Sequence, residues 1–267
     1  MITSFRMYNA GPDAAAAWRS LFGRVFADLA LDIEIIEHKW PQPIDSLWSE
    51  PALCCAFMCG WPFARRRGMQ AVAAPVPAPP GYEGRPRYCS EFLAREGRGW
   101  TRLEDSFGHR FGWMARDSQS GFNAPRAHLA RYASAARPAL FSESIGPLGS
   151  PAKSLEALRA NAVDVIALDG FYLDLVRRYE PAKLEGLRTI AATGWAPIPL
   201  LVAGPSIEAA IVDRLRGHLT HVHEVPAYGA HFEAVIVERF VAADPAQYAK
   251  LEELAQKTIA SRYPDIR

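Results

Sequence analysis

The chain has 267 residues, with 30 Lys+Arg against 29 Asp+Glu and a formal net charge of +1. That balance excludes the electrostatic footprint of a nucleic-acid binder, and 49% hydrophobic with 22% charged residues excludes a disordered chain. No run approaches the roughly 18 apolar residues of a membrane span, four cysteines are too few for a disulfide scaffold of this length, and the length fits one large domain or two of about 100–150 residues.

The N-terminus Met1-Ile2-Thr3-Ser4-Phe5-Arg6-Met7-Tyr8 carries no basic stretch, apolar segment or small-residue cleavage site, so no secretory leader is read there. Residues 2–8 read as a strand. From Asp13 to Leu29, Trp18, Leu21, Phe22, Val25, Phe26 and Leu29 recur at helical spacing. Asp32–Glu37 reads as a strand, followed by a turn at Trp40-Pro41-Gln42-Pro43. Ala52–Met58 is a continuous apolar run suited to a strand buried on both faces, and it ends in the turn Cys59-Gly60-Trp61-Pro62-Phe63. Met69–Val76 is a further strand, and the prolines and glycines from Pro75 to Pro86 mark a loop.

Tyr88–Ala94 is extended, and Thr101-Arg102-Leu103-Glu104 has the form of a capping box opening a short helix. A strand at Arg110–Ala115 leads through the polar turn Asp117-Ser118-Gln119-Ser120-Gly121 into a helix near Asn123–Ala135. Leu140–Ile145 is extended. Ser150-Pro151 is a good N-cap and first-position pair for a helix reaching Asn161. Val163–Leu168 is a strand closing on Asp169-Gly170, and a helix follows over Phe171–Tyr179. Strands at Leu187–Thr193 and Ile198–Val202, then helices near Ile207–Leu219 and Pro245–Ser261, complete an α/β chain. Its polar, Gly-rich turns fall at strand ends, where open α/β sheets bind ligands.

The Asp117–Gly121 turn is the most informative motif. Its hydroxyl and amide donors precede a helix N-terminus, a combination suited to a phosphate, phosphonate or carboxylate; an ordinary N-cap cluster is the competing reading. Trp40, Trp61, Phe63 and Tyr88 either project over a cleft or pack beneath their loops. Arg65-Arg66-Arg67 reads as a solvated patch. Ser150-Pro151-Ala152-Lys153 matches the Ser-x-x-Lys of penicillin-recognising enzymes, but the companion Ser-Asp-Asn and Lys-Thr-Gly elements are absent, which leaves a capped helix start. Cys55-x-x-x-Cys59 lacks a second ligand pair, so Cys54, Cys55, Cys59 and Cys89 read as thiols without metal. His221-x-His223 on a strand would place two imidazoles on one face, yet no further ligand completes a metal spacing. There is no Walker loop, Gly-x-Gly-x-x-Gly or Gly-x-Ser-x-Gly. No cofactor and no catalytic residue are assigned.

In this order the motifs resemble a known family. Met7-Tyr8 ends the first strand, Cys59-Gly60-Trp61-Pro62-Phe63 follows the third, and Arg87-Tyr88-Cys89-Ser90 enters a crossover. Then come Ser118-Gln119-Ser120-Gly121-Phe122-Asn123, Ser154-Leu155-Glu156-Ala157-Leu158 leading to Val163–Asp169, and Pro197-Ile198-Pro199. The chain is similar to the PhnD-like phosphate, phosphite and phosphonate substrate-binding proteins of ABC transporters, on the type II periplasmic binding fold. The resemblance implies two α/β lobes, residues 1–90 with 200–267 and residues 91–199, joined by crossovers at Tyr88–Ala94 and Ile198–Ala203 around a ligand cleft.

It also implies a small polar or anionic ligand, phosphonate-like or zwitterionic, captured by lobe closure, with a permease as partner and no enzymatic step. Tyr8, Trp61, Phe63, Tyr88, Ser118, Gln119, Ser120 and Asp169 are the implied ligand contacts. The implied molecule is a monomer or weak dimer that neither binds nucleic acid nor embeds in a membrane. A leaderless cytoplasmic sensor, or an enzyme on the same fold, is the alternative reading. The resemblance points to the periplasm; with no leader read at the N-terminus, either the protein stays in the cytoplasm or the leader lies outside this chain. One departure matters: where the family commonly has Gly-x-His-x-x-Ser, this chain reads Gly149-Ser150-Pro151-Ala152-Lys153-Ser154. Loss of that imidazole predicts weak binding of simple phosphonates and phosphate, and a ligand that is zwitterionic or only partly anionic with an organic body.

Overall fold

In the computed structural model, residues 1–39, 42–261 and 263–267 are described; Trp40 and Pro41, part of the expected Pro-bracketed turn, lie outside them. The first elements are β1 (Ile2–Ser4), α1 (Pro12–Asp28), β2 (Glu34–Ile35), α2 (Ile44–Trp48), β3 (Leu53–Met58), α3 (Gly60–Arg65) and β4 (Gln70–Pro77). Next come β5 (Arg87–Tyr88), β6 (Ser90–Arg95), β7 (Arg110–Gly112), α4 (Ala124–Leu129), β8 (Glu143–Ile145), α5 (Pro151–Arg159), β9 (Val165–Asp169) and α6 (Gly170–Tyr179). The chain ends with β10 (Leu187–Ala192), β11 (Ala196–Pro197), β12 (Leu200–Ala203), α7 (Ala209–His221), α8 (Gly229–Ala234), β13 (Val237–Val241) and α9 (Pro245–Ile259).

The chain divides into two units: Met1–Arg87 with Pro197–Tyr248, and Tyr88–Ala196 with Ala249–Arg267. Residues 249–267, expected with the first group, cluster with the second unit, and their contacts give the physical reason. Within unit 2 the Asn123 amide donates to the Leu251 carbonyl at 3.5 Å and Arg126 donates to the Pro264 carbonyl at 3.0 Å. Arg116 pairs with Asp265 at 2.7 Å, and the Leu140 N–H donates to the Arg267 carbonyl at 2.6 Å.

Unit 1 is built on a six-stranded sheet in the order β13-β4-β12-β3-β1-β2. β1 lies parallel to both β2 and β3, and β12 runs antiparallel to β3, pairing Leu200 with Met58. Every residue of β3 is buried, as its unbroken apolar run requires. On one side Phe5, Trp18, Phe22 and Phe57 form an aromatic core, with Phe5 and Phe22 centroids 4.2 Å apart and Trp18 edge-on to Phe57 at 5.1 Å. Unit 2 has a five-stranded sheet, β10-β6-β9-β7-β8, in which β7 is parallel to β8 and β9 while β6 is antiparallel to β9 and β10. β5 and β11 pair as a separate two-stranded ladder.

Local differences from the sequence reading have local causes. The expected first strand stops at Ser4, and Arg6–Tyr8 turns as a 3-10 segment. Residues 60–65 are helical, because Pro62 suits the first turn of a helix and the Phe63 N–H reaches the Cys59 carbonyl at 3.1 Å. The Thr101–Glu104 box is closed by Asp105 instead of Glu104: its carboxylate accepts from the Thr101 and Arg102 N–H groups at 2.9 and 3.0 Å. His221 ends α7 and His223 lies in a 3-10 turn, so the two are not on a strand. β13, α2 and α8 were not anticipated. Among the described residues no helix is long and apolar enough to cross a membrane, and no group of three or more His, Cys, Asp or Glu could hold a metal.

Candidate functional site

Sheet topology alone creates two candidate edges. In unit 2, the parallel arrangement of β7, β8 and β9 brings their carboxyl ends to one edge of the sheet. β6 is antiparallel to β9, pairing Ser90 with Asp169, so the entry to β6 at Tyr88 and Cys89 lies at that edge too. Three helical segments start there, at Gln119, Pro151 and Gly170. Each exposes N–H groups that have no partner within its own helix.

The Ser118–Gly121 turn follows β7. Its helix begins as a π-helical turn, Gln119–Asn123, with the Asn123 N–H reaching the Ser118 carbonyl at 2.9 Å. Ser118 caps it: its hydroxyl accepts from the Gly121 N–H at 2.9 Å. Gln119 is fully buried and its side-chain carbonyl accepts from the Asn123 amide at 2.8 Å. Its own amide nitrogen, also buried, has no hydrogen-bond partner among the described residues. Ser120 is buried, and its hydroxyl meets no protein partner among the described residues. Gly121 is required here, because a Cβ would lie 2.6 Å from the Met114 Cβ.

The other turns at this edge are occupied differently. Ser150 caps α5, accepting from the Lys153 N–H at 3.2 Å, and Lys153 pairs with Glu156 at 2.6 Å with half of its side chain exposed. Asp169 caps α6: one carboxylate oxygen accepts from the N–H groups of Phe171 at 2.8 Å and Tyr172 at 3.0 Å. The expected ligand contact Asp169 is therefore at least in part a capping residue. Tyr88 is 1% exposed on β5.

In unit 1, β1, β2 and β3 deliver Arg6–Tyr8, His38 and Trp61–Phe63 to their carboxyl edge. Tyr8 is buried with its ring edge-on to Phe57 at 4.8 Å, in the aromatic core. Trp61 is buried, with the Arg65 guanidinium 5.1 Å from its ring centroid. Phe63 is half-buried and meets Tyr248 edge-on at 5.4 Å. Tyr248, which the sequence did not single out, donates to the Ile198 carbonyl at 2.9 Å; burial, then Asp244, raises its phenol above the ordinary value. Arg6 also went unnoticed. Its Nη1 donates to His38 Nδ1 at 2.7 Å and to the Gln42 carbonyl.

Thus the eight expected contacts fall into two sets: Tyr8, Trp61 and Phe63 at the edge of unit 1, and Tyr88, Ser118, Gln119, Ser120 and Asp169 at the edge of unit 2. Burial raises the Cys54 and Cys89 thiols to about 11, which keeps both protonated at neutral pH.

Comparison with known proteins gives this arrangement its context. The binding-protein component of an ABC phosphonate transporter from Pseudomonas aeruginosa superposes with a TM-score of 0.77 at 16% identity, over 97% of this chain and 86% of that one. PhnD1 from Prochlorococcus marinus, solved with methylphosphonate, gives 0.77 at 15% identity over 96% of each chain. A Xanthomonas citri protein solved with ATP gives 0.67 at 15% identity over 97% of each. These likenesses establish the type II periplasmic binding fold. No curated protein matches the chain in sequence. The sequence model of the ABC transporter phosphonate periplasmic substrate-binding proteins matches residues 55–248, more than half of the chain, and the chain belongs to that family of solute-binding proteins.

Proposed function

We propose that this protein captures a small solute with an anionic or hydrogen-bond-accepting end, closes its two units around it, and releases it unchanged to an ABC permease. In this reading the units act as the two lobes, with the crossings near Tyr88 and Pro197 as hinges. The Ser118–Ser120 turn binds the acceptor end, and Trp61, Phe63, Tyr8 and Tyr88 enclose the organic body. Asp169 attracts an amine or hydroxyl, and the protein acts as a monomer or weak dimer. Family membership supports the solute-binding role and the transporter partner.

The observation that carries the site is the division of labour in one turn. Ser118 is committed to capping, while the Ser120 hydroxyl has no protein partner among the described residues, beside a helix start whose dipole favours negative charge. Melting the protein with a panel of phosphonates, carboxylates and amino-acid-like zwitterions should reveal a stabilising class. A ligand at 100 times its Kd adds about 2.7 kcal/mol. Ser120→Ala should then weaken that ligand by roughly tenfold, the loss of one hydrogen bond to a charged group. Unchanged affinity by calorimetry would remove the turn from the site.

A further inference from the structure

Resting on that reading, we infer that Arg6 is the cation that binds the ligand's oxyanion. An arginine has five N–H donors, and the Nε–Nη2 edge forms a planar fork matched to two oxygens of a carboxylate or phosphonate. Arg6 is half-buried on the turn after β1. Both of its hydrogen bonds leave from Nη1, one to His38 Nδ1 at 2.7 Å and one to the Gln42 carbonyl. The Nε–Nη2 edge has no acceptor among the described residues.

Both acceptors are neutral, and Arg6 has no carboxylate partner among the described residues. Burial alone lowers its pKa, with no acid contributing. A half-buried arginine without a counter-ion is costly unless something else supplies the negative charge.

The surroundings hold the fork in place. Arg6 can only donate, so His38 Nδ1 accepts and neutral His38 carries its proton on Nε2. That Nε2–H meets Ser46 Oγ at 3.0 Å, and the Ser46 hydroxyl donates to the Pro43 carbonyl at 2.7 Å. The relay fixes Nη1 and leaves the other edge of the guanidinium presented.

The cations beside the unit 2 edge are otherwise engaged. Lys153 pairs with Glu156 at 2.6 Å, and Arg116 pairs with Asp265 at 2.7 Å. Arg116 also covers Trp113 at 4.6 Å and Phe122 at 4.8 Å. One guanidinium balances one negative charge, so the class favoured is a monoanionic oxyanion or a zwitterion, not a dianion.

The test uses the monomethyl ester of phenylphosphonic acid, a monoanion with a ring, beside its uncharged dimethyl ester. In wild-type protein labelled with 15N, the monoanion should shift the Arg6 Nε–H and His38 resonances, and the neutral ester should not. By calorimetry Arg6→Gln should weaken the monoanion about tenfold or more and leave the neutral ester unchanged, with Arg6→Lys in between. If Ser120→Ala weakens the monoanion while Arg6→Gln does not, the solute-binding site stands and the role of Arg6 is overturned. If the Arg6 and His38 resonances stay fixed at about 10 mM monoanion, well above weak millimolar binding, the inference is overturned whichever other solute stabilises the protein. Should Arg6→Gln fail to fold, the wild-type resonances and Arg6→Lys decide the question.

Discussion

The two carboxyl edges arise from the same topology and carry different chemistry. In each unit a set of parallel strands ends together, and the turns that follow deliver side chains to one rim. Unit 1 receives aromatic rings and an arginine without a carboxylate partner among the described residues: Tyr8, Trp61, Phe63 and Arg6. Unit 2 receives mainly hydroxyls, an amide and a carboxylate, from Ser118, Gln119, Ser120, Ser150 and Asp169, with the single ring of Tyr88 beside them. Topology therefore sets where a ligand can bind, and the turn residues set which part of the ligand each unit suits.

Removing the support of the unit 2 edge from below should have the greatest consequence. Asp164, next to the start of β9, is buried among three arginines. It meets Arg95 and Arg110 at 2.8 Å each and also Arg98. Burial opposes its charge, but hydrogen bonds from Arg110 and Arg95 with the charge of Arg98 hold the carboxyl well below its usual range. Asp164→Ala leaves those guanidiniums uncompensated across β6 and β7, and should cost about 3 kcal/mol. Denaturant unfolding should show the loss first at Trp113 in unit 2, with Trp61 in unit 1 following. Simultaneous loss at both tryptophans at the wild-type midpoint would show that Asp164 supports neither edge.

Much of this was legible in the sequence. The continuous run in β3, the Ser150-Pro151 start of α5 and the β9-Asp169-Gly170-α6 junction announce themselves through composition and capping chemistry, and the Ser118–Gly121 turn carries its donors in consecutive residues. Arg6 and Tyr248 were not legible, because their significance lies in partners far along the chain. Arg6 meets His38 across two parallel strands, and Tyr248 meets Ile198 fifty residues away. β13 is not legible because the consecutive charges Glu238 and Arg239 interrupt Val237–Val241 and break the period-2 pattern of a strand. The helix at 60–65 was missed because Gly and Pro usually mark turns. The membership of 249–267 in unit 2 depends mostly on backbone carbonyls and on one ion pair 149 residues apart, Arg116–Asp265, which no local side-chain pattern encodes.

An imidazole at position 151 would add a further donor to the unit 2 edge. Pro151 has no N–H and no polar side chain, and Lys153 is tied to Glu156. Pro151→His should raise affinity for methylphosphonate and phosphate by about tenfold, one hydrogen bond to a charged group. Simple phosphonate and phosphate should bind the unmodified protein more weakly than micromolar. Micromolar binding without the histidine would mean that Arg6 and the helix starts already suffice for a dianion. On the aromatic side, Phe63→Leu removes the edge-on contact with Tyr248. That should cost about 1 kcal/mol in stability and weaken ring-bearing solutes more than aliphatic ones, as calorimetry of a matched pair would show.

The two units should also differ, more slightly, in how they respond to acid. His128 on α4 is half-buried against Phe92, at 5.3 Å, and Arg131 donates to its ring nitrogen at 2.7 Å. Burial first, then the charge of Arg131, lowers its pKa to about 4, against a weaker opposing pull from Glu104. A histidine lowered on folding takes its proton more readily in the unfolded chain, so its stabilisation is complete above about pH 6.5 and is lost as pH falls towards 4. His128→Gln should flatten that part of the stability profile of unit 2. In unit 1, His38 is lowered for related reasons, burial first and then Arg6, with Glu50 opposing. Its protonation has a further consequence, because Nδ1 can no longer accept from Arg6. Acid should therefore cost unit 2 only stability, while in unit 1 it should also release the arginine and weaken oxyanion binding. Measuring affinity and melting temperature together from pH 7 to 5 separates the two. Equal flattening of both profiles by His128→Gln would mean that the edges do not respond independently.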